Sequence, residues 1–296
     1  MENKNNSLPI LLLALLSLIW GTSFILMKKG LVALSPIEVA SLRITVAGIL
    51  VLPIAFVKRR DVQRSQYRNL LISGLIGVFI PAFLFSTAQQ HIDSSVAGIL
   101  NALSPLWTLI MGVLLYKQAF RRPAVIGIIV GLMGSVVIIL SRSGAAISGF
   151  NAFGLLIVMA TAFYGLNLNF VKFNITGLGS LAITSVSIAL IGPLGAVILF
   201  GMTDFVTTLQ TVPGAWTSTA YVVLLALMST AIAGLIFNKL VRLTTPLFTS
   251  MVTYIMPLVS VMWGVIDHEQ LLFTHFAGMA GILLGVYLTN RRVPNS

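Results

Sequence analysis

Cysteine is absent from the 296-residue sequence. Its absence excludes disulfides, thiolate metal ligands and cysteine nucleophiles, and it leaves the redox compartment open. The three histidines, His91, His268 and His275, are too scattered to predict a metal cluster. The chain also lacks a GxxxxGK[ST] loop, so it does not hydrolyse ATP through a P-loop. We therefore expect no metal and no cofactor.

Charge is also scarce. Charged residues make up 8% of the chain and hydrophobic residues 57%, a composition that cannot cover a water-facing globular surface and is typical of an integral membrane protein. No carboxylate lies deep in an apolar stretch, so a buried proton relay is not visible, although His91, Asp93 and Glu269 could titrate at an outer mouth. The carboxylates at the ends of apolar stretches or in loops are Glu38, Asp93, Asp204, Asp267 and Glu269.

Long apolar stretches dominate what is present. A helix needs about 20 apolar residues to cross the hydrocarbon core of a bilayer, and ten stretches near this length occur, five in each half of the chain. They are residues 8–27, 37–57, 69–89, 95–116, 123–141, 152–171, 180–202, 216–238, 246–266 and 272–290. The first lacks a small-residue cleavage pattern and is interpreted as a retained helix. The predicted fold class is all-α integral membrane, with ten transmembrane helices.

The net charge of +11 is explained by membrane topology and not by nucleic-acid binding, because the basic residues lie between apolar stretches. If the N-terminus is cytoplasmic, most lysines and arginines, including residues 58–60, fall in inner loops. Lys28 and Lys29 then lie outside, together with acidic loop residues such as Glu269. Since basic residues in short loops are retained inside, we predict that both termini are cytoplasmic.

The two halves of the chain repeat each other. Leu103-Ser104-Pro105-Leu106 returns as Ile255-Met256-Pro257-Leu258, and Trp20-Gly21 returns as Tyr164-Gly165. Each copy holds an odd number of helices, so the second copy runs through the membrane in the opposite direction. We therefore predict two inverted five-helix repeats joined by a small, polar linker. Their predicted bounds are residues 1–144 and 145–296.

Two prolines and two glycine-rich faces indicate how the helices pack. Pro105 and Pro257 lie at matching places in the middle of their spans. Each removes a backbone hydrogen bond and is expected to kink its helix, so we predict that the pair hinges or gates a cavity. The fifth and tenth spans each contain a GxxxG motif, which favours close packing inside a monomer over the alternative of a homodimer interface.

Polar and aromatic side chains inside the spans predict the binding site. A single polar side chain is more often a helix-to-helix hydrogen bond, but their concentration on particular helices favours a polar-lined cavity. Aromatic rings beside them suit flat or amphipathic organic solutes, although Trp and Tyr near span ends are often interface anchors. The candidate substrate-binding residues are Trp20, Ser23, Phe24, Phe85, Gln89, Asn101, Trp107, Tyr164, Asn167, Asn238, Thr253 and Tyr254.

Arg43 lies two turns into the second predicted span. It could extend to the outer interface or pair with an acidic group there, such as Glu38 five residues earlier. The alternative is a gating or carboxylate-binding role, which would suit an anionic or zwitterionic substrate.

Taken together, the five-plus-five helices, Trp20-Gly21-Thr22-Ser23-Phe24, Arg43, the two proline segments and Glu269 resemble the EamA-type drug/metabolite transporter superfamily. The resemblance implies an inverted-repeat transporter whose central cavity is lined by the first, third, fourth, sixth, eighth and ninth helices, with the fifth and tenth outside it. Two departures concern symmetry: Lys117 stands where an acidic residue is common after the first proline segment, and Ser187 is the counterpart of Arg43.

The expected function is that of a secondary transporter in the cell inner (plasma) membrane. It would export a small organic metabolite, an amino acid or a related amphipathic compound, by alternating access. Uptake or drug efflux by the same fold is one alternative. A membrane-embedded lipid or isoprenoid enzyme is another, and it would need clustered Asp or His residues, for which only Asp267-His268-Glu269 is available. The expected partners are the substrate and the bilayer.

Overall fold

The computed structural model describes residues 7–118, 122–140, 152–244 and 251–290, so the predicted linker lies outside the described residues. These ranges contain helices and no β-strand. In chain order the helices are α1 (Ser7–Gly30), α2 (Pro36–Lys58), α3 (Gln66–Gly74), α4 (Ile80–Gln89), α5 (Ser94–Asn101), α6 (Ser104–Tyr116), α7 (Arg122–Leu140), α8 (Phe153–Asn174), α9 (Ser180–Gly201), α10 (Phe205–Thr211), α11 (Ala215–Ala226), α12 (Ala233–Leu243), α13 (Val252–Ile266) and α14 (Phe273–Asn290). A 3-10 turn, Arg59–Asp61, follows α2.

The apolar helices match the predicted spans. Within the described ranges, six segments are long and apolar enough to cross a membrane, namely Leu8–Gly30, Pro36–Asp61, Gln66–Gln89, Ser94–Tyr116, Phe153–Asn174 and Ser180–Gly201. Shorter apolar helices are Ala124–Leu140, Ala215–Ser229, Val252–Ile266 and Phe273–Leu288. Each overlaps one predicted stretch, and the all-α membrane fold is confirmed. Large apolar side chains such as Ile126, Ile129 and Met133 of α7 are exposed on its outer face, as a lipid-facing surface requires.

The second span begins with a capping box. The backbone N–H of Glu38 donates to the hydroxyl of Ser35 at 3.3 Å, and the carboxylate of Glu38 accepts from the backbone N–H of Ser35 at 2.8 Å. Pro36 occupies the first turn, where its missing N–H costs nothing. Thr208 on α10, the short helix after α9, donates a further hydrogen bond to Glu38 at 3.0 Å. The carboxylate of Glu38 is therefore occupied at the helix end and makes no ion pair with Arg43.

The fourth span is broken, which corrects the expectation of a kink within a continuous helix. α5 ends at Asn101 and α6 begins at Ser104, so Pro105 lies in the first turn of a new helix and removes no helical hydrogen bond. Pro257 lies inside α13, five residues after that helix begins. The two prolines are therefore placed differently, although their sequences match.

Helix pairs in the core approach each other through glycines. Apolar burial does not by itself drive helices together in lipid, so close backbone contact must contribute. A Cβ atom placed on Gly48 of α2 would lie 2.7 Å from the Cα atom of Gly192 on α9. On α7, a Cβ atom of Gly134 would lie 2.7 Å from the carbonyl oxygen of Gly278 on α14. The GxxxG faces of the fifth and tenth spans thus pack on each other within one chain and are not free for a homodimer.

Two further glycine contacts are related by the sequence repeat. A Cβ atom on Gly21 of α1 would lie 2.5 Å from the Cβ atom of Val259 on α13. A Cβ atom on Gly165 of α8 would lie 2.5 Å from the carbonyl carbon of Trp107 on α6. Val259 and Trp107 each lie two residues after the repeated proline. The first helix of each half therefore crosses the fourth helix of the other half at the same place.

Each half also contains a π-helical turn in its third span, a feature that the sequence did not predict. The turns are Leu75–Phe79 between α3 and α4, and Leu227–Ile232 between α11 and α12. A π-helical turn widens the helix and frees backbone carbonyls from the regular ladder, and such turns are frequent at functional sites.

Candidate substrate cavity and the Glu269 end

The centre of the helical bundle encloses a cavity of about 390 Å³. It is lined by α1, α2, α4, α5, α6, α8, α12, α13 and the second π-helical turn. The lining residues are Trp20, Ser23, Phe24, Met27, Arg43, Phe85, Asn101, Ser104, Tyr164, Asn167, Leu168, Ser229, Phe237, Thr253 and Met256. Ligand pockets in proteins are commonly about 300 to 1,000 Å³, so this cavity suits a small organic molecule.

Most candidate residues lie around this one cavity. The structure brings together Trp20, Ser23, Phe24, Arg43, Phe85, Asn101, Tyr164, Asn167 and Thr253. It places Gln89, Trp107 and Tyr254 away from the lining, and the side chain of Asn238 lies outside the described part of the chain. The lining residues that the sequence analysis missed are Met27, Ser104, Leu168, Ser229, Phe237 and Met256.

Two of the candidates that miss the cavity have buried polar atoms without hydrogen bonds. The amide of Gln89 and the indole N–H of Trp107 have no hydrogen-bond partner among the described residues. Trp107 lies at the crossing with Gly165, where its backbone is in close contact with α8. Trp107 thus takes part in helix packing at this crossing.

Aromatic rings form the apolar walls of the cavity. The rings of Phe85 and Tyr164 are stacked with centroids 6.0 Å apart, and Phe24 is tilted against Phe85 at the same centroid distance. On the other wall, Trp20 and Phe237 have centroids 5.7 Å apart. Such rings hold a flat or apolar body of a ligand at little entropic cost.

Both π-helical turns are joined to the first helix of the other half. The indole N–H of Trp20 on α1 donates to the backbone carbonyl of Ser229 in the second π-helical turn, at 3.2 Å. At the first π-helical turn, a Cβ atom on Gly77 would clash with the amide nitrogen of Asn167 on α8. The amide oxygen of Asn167 accepts from the hydroxyl of Ser73 at 2.8 Å. These contacts hold two cavity residues, Trp20 and Asn167, against the irregular backbone.

Arg43 is the one lining residue with a full charge at neutral pH. Its side chain is partly exposed, which fits a side chain at a cavity wall. Among the described residues, no carboxylate lies within ion-pair distance of its guanidinium.

One end of the bundle, which we call the Glu269 end, is closed by Lys28, Lys29, Ser94, Ser95, Asp267 and Glu269. The side chain of Glu269 is fully buried, at 0% exposure. It accepts hydrogen bonds from the backbone N–H groups of Ser94 and Ser95, both at 3.0 Å, and from both hydroxyls. These serines begin α5, so the carboxylate also meets the positive end of a helix dipole.

Two lysines at the end of α1 complete the Glu269 end. The ammonium group of Lys28 lies 2.8 Å from Glu269 and 2.7 Å from Asp267. Lys29 forms a further ion pair with Asp267. Two lysines can therefore lie at the end of the bundle that is predicted to face outwards, because the ion pairs neutralise their charges.

The charges at this end shift the pKa values of its carboxyl groups. Burial opposes ionisation of Glu269, but the hydrogen bonds from Lys28, Ser94 and Ser95 hold its pKa below the ordinary value. Burial likewise opposes ionisation of Asp267, and the two lysines lower its pKa. Burial raises the pKa of Asp93, and the nearby negative charge of Glu269 raises it further.

The turn that delivers Glu269 has a counterpart after α6. His268 has a φ of 57°, and the N–H of Glu269 donates to the carbonyl of Gly264 at 2.9 Å. Lys117 likewise has a φ of 52°, and the N–H of Gln118 donates to the carbonyl of Gly112 at 3.0 Å. A residue with positive φ thus precedes both Glu269 and Gln118, while the backbone N–H of Lys117 also donates to the carbonyl of Gly112, as that of Glu269 does to Gly264.

At the opposite end of the bundle, the corresponding contacts are neutral. The amide of Gln118 donates to Asn169 on α8 at 2.7 Å. The amide of Asn174 donates to the hydroxyl of Tyr116 at 3.0 Å, and Asn69 donates to the carbonyl of Asn174 at 2.9 Å. We call this region the Asn174 end. The two ends therefore differ in chemistry: ion pairs close the Glu269 end, and amide hydrogen bonds join the helices at the Asn174 end.

Burial of the cavity lining increases towards the Glu269 end. Phe24, Met27 and Phe85, which lie nearer that end, are buried. Leu168 is 58% exposed, and Phe237 and Thr253 are partly exposed. The last three lie on the parts of α8, α12 and α13 that run towards the Asn174 end. The Glu269 end is therefore the sealed end of the cavity.

A helical membrane bundle with an internal cavity that is sealed at one end has the architecture of a transporter. The chain belongs to the EamA-like transporter family, whose sequence profile matches it twice, at residues 7–140 and 152–291. Each match covers one of the two sets of spans. Among the residues that the structure describes, no group of three His, Asp or Glu side chains is arranged to hold a metal ion.

Some similar proteins match this chain over almost its whole length, and others match about half of it. An uncharacterized transporter of Archaeoglobus fulgidus is 25% identical over 284 residues, which is 95% of this chain and 98% of the relative. The uncharacterized inner membrane transporter YedA of Escherichia coli is 32% identical over 148 residues, 49% of this chain and 46% of YedA. A crystal structure with 20% identity superposes with a TM-score of 0.60 over 95% of this chain and 96% of that chain, which shows a shared fold.

Proposed function

We propose that this protein is a secondary transporter that exports a small organic metabolite, an amino acid or a related amphipathic compound, by alternating access. The observation that carries the proposal is the cavity of about 390 Å³ between the two family-matched segments. Its aromatic walls, amides and hydroxyls suit a small molecule with an apolar body and polar groups. Membership in a transporter family supports movement of that molecule across the membrane.

We further infer that residues 1–144 and 145–296 are inverted repeats. The paired crossings support this inference, since Gly21 meets Val259 and Gly165 meets Trp107 at equivalent positions. Inverted repeats provide alternating access because exchange of the two conformations moves the opening from one side of the membrane to the other.

The proposed location is the inner membrane, with both termini in the cytoplasm. YedA is named an inner membrane transporter, and the lysines and arginines of the loops favour this orientation. The Glu269 end then faces outwards, and the conformation with that end sealed corresponds to the inward-facing state. In this state the cavity would load substrate from the cytoplasm, as export requires.

Counterflow in liposomes tests the proposal. Protein-containing liposomes loaded with a mixture of unlabelled amino acids are diluted into single radiolabelled amino acids, and protein-free liposomes serve as the control. Accumulation of at least one labelled amino acid is expected. An absence of counterflow for every amino acid, together with counterflow of cationic drugs or nucleobases, would contradict the proposed substrate class.

A matched pair of variants separates the cavity from the rest of the fold. Asn101→Ala removes a cavity amide, and Leu115→Ala truncates a side chain that is 58% exposed on the outer surface of α6. The first is expected to lower counterflow and the second to preserve it. If the two substitutions changed counterflow equally, the cavity would not be the site through which the substrate is transported.

A further inference from the structure

We propose that Arg43 is an anion-binding site in the cavity and that the transported substrate presents a carboxylate to it. This inference rests on the proposed function, because it takes the cavity to be the substrate site. It names the chemical group by which the substrate is recognised and the residue that recognises it.

Two alternatives for Arg43 fail on its surroundings. An ion pair with Glu38 is absent, because that carboxylate caps α2 and accepts from Thr208. Extension of the side chain to the end of the helix is also not observed, because Arg43 lines the central cavity together with Asn101 and Tyr164. The guanidinium is therefore directed to the place where a ligand would bind.

The charge of the cavity is positive and uncompensated among the described residues. Its other lining residues are neutral at neutral pH. The carboxylates of Asp93, Asp267 and Glu269 lie at the sealed end, where Lys28 and Lys29 neutralise two of them. A charged side chain inside a membrane protein costs several kcal/mol unless it is paired or solvated. A bound anion removes this cost, whereas a cation would increase it.

The geometry of a guanidinium narrows the class of anion. Its planar fork of N–H donors matches the two oxygens of a carboxylate, and such charge-assisted pairs are stronger than neutral hydrogen bonds. The stacked rings of Phe85 and Tyr164 provide an apolar wall on the same cavity. An aliphatic or aromatic carboxylic acid, including a zwitterionic amino acid, satisfies both features. A cationic drug with an aromatic body can contact the apolar wall, but it has no anionic group for the guanidinium.

Four probes with the same phenyl ring test the inference: 3-phenylpropanoate, phenylalanine, 3-phenylpropanamide and phenethylamine. Binding to the purified full-length protein is measured by tryptophan fluorescence and by the shift in Tm. The wild-type protein is expected to bind the two carboxylates about tenfold or more tightly than the neutral amide, which reflects a charge-assisted hydrogen bond. Phenethylamine is expected to bind most weakly.

Substitutions of Arg43 test whether its side chain causes the preference for carboxylates. Arg43→Gln is expected to bind the carboxylate and the amide equally, and Arg43→Lys to keep a reduced preference because it retains the charge without the fork. Arg59→Gln, at an exposed residue over the ring of Phe56, serves as the matched loss of a positive charge and is expected to behave as wild type. Monodisperse elution from a size-exclusion column establishes that each variant is folded. If Arg43→Gln does not fold, the reduced carboxylate preference of Arg43→Lys is the result that tests the inference.

The outcomes distinguish the anion site from the transport proposal. A wild-type protein without any preference for carboxylates, or an Arg43→Gln protein that keeps the preference, overturns the anion site even if counterflow is observed. A preference that depends on Arg43 in a protein without counterflow would uphold the anion site and contradict transport. Because an anionic lipid headgroup offers the same charge, the titrations are repeated with phosphatidylglycerol. Competition by that lipid, without binding of the free carboxylates, also overturns the inference.

Discussion

The ammonium group of Lys28 lies 2.8 Å from the buried carboxylate of Glu269, although 241 residues separate them in the chain. The contact joins the end of α1 to the turn after α13. Because Glu269 also binds the first N–H groups of α5, one carboxylate holds three transmembrane segments together at the sealed end. In the proposed alternating-access cycle, separation of these segments would open the cavity on that side.

Glu269→Gln should destabilise the sealed end. The substitution removes the charge that pairs with Lys28, which keeps Asp267 as a partner. It also weakens the charge-assisted hydrogen bonds from Ser94 and Ser95, a loss that typically costs about 1 to 3 kcal/mol. We expect a clear fall in the Tm of the purified protein. Asp61→Asn is the matched control, since it breaks the exposed ion pair with Lys58, which is worth less than about 1 kcal/mol. Equal changes in Tm for the two variants would show that Glu269 does not hold this end.

The stability of the protein should fall at acidic pH through the same carboxylates. Since the folded-state pKa values of Glu269 and Asp267 are lowered, their contribution is complete above their ordinary values of 4.5 and 3.8 and is lost as pH falls through the lowered values. Asp93 acts in the opposite direction, because its pKa is raised and its protonation on acidification relieves repulsion. Tm measured against pH should therefore fall more steeply below about pH 4.5 in wild type than in Glu269→Gln. Parallel curves would contradict this account.

Gly264→Ala tests the close packing around the carboxylate. The added Cβ atom would lie 2.6 Å from Oε2 of Glu269 and 2.8 Å from the Cβ atom of Ser95. Overpacking of this kind typically costs about 1 to 3 kcal/mol, so the Tm should fall. Gly201→Ala is the control, because no atom lies within 4 Å of its added Cβ. A Gly264→Ala protein as stable as Gly201→Ala would show that the sealed end has more room than the structure indicates.

Neighbouring residues at the start of α13 give a test of the cavity boundary. Thr253 lines the cavity and Tyr254 does not. Thr253→Ala should weaken the apparent affinity in counterflow by up to about tenfold if its hydroxyl bonds the substrate. Tyr254→Phe should leave the affinity within about twofold of wild type, because it removes a hydroxyl that does not reach the cavity. The reverse order of effects would place the binding site on the other side of α13.

Much of the fold and part of the site could be predicted from the sequence. Span positions follow from apolar length, and residues such as Trp20, Asn101 and Tyr164 stand out because polar or amphipathic side chains are costly in lipid. Ser104 and Ser229 were missed for a physical reason. Each donates to a backbone carbonyl of its own span, as the predicted candidate Ser23 also does, so the sequence does not distinguish a cavity serine from any other serine in a span.

The remaining differences come from irregular backbone. The sequence predicts Trp107 as a cavity residue, but Trp107 follows the break between α5 and α6 and is not among the lining residues. The π-helical turns have no sequence signature of their own. The pairing of Lys28 with Glu269 depends on two helices that meet only in the folded protein, so the sequence could place both residues on one side of the membrane but could not join them.

Single-cysteine labelling tests alternating access most directly, because the natural chain contains no cysteine. Ser104→Cys places a thiol in the cavity, and a membrane-impermeant maleimide is applied to membrane vesicles from the cytoplasmic or the outer side. With the Glu269 end intact, labelling should occur mainly from the cytoplasmic side. In the Glu269→Gln background, labelling from the outer side should increase and cytoplasmic labelling should decrease. Unchanged labelling from one side in both backgrounds would contradict a cavity whose access is controlled by the Glu269 end.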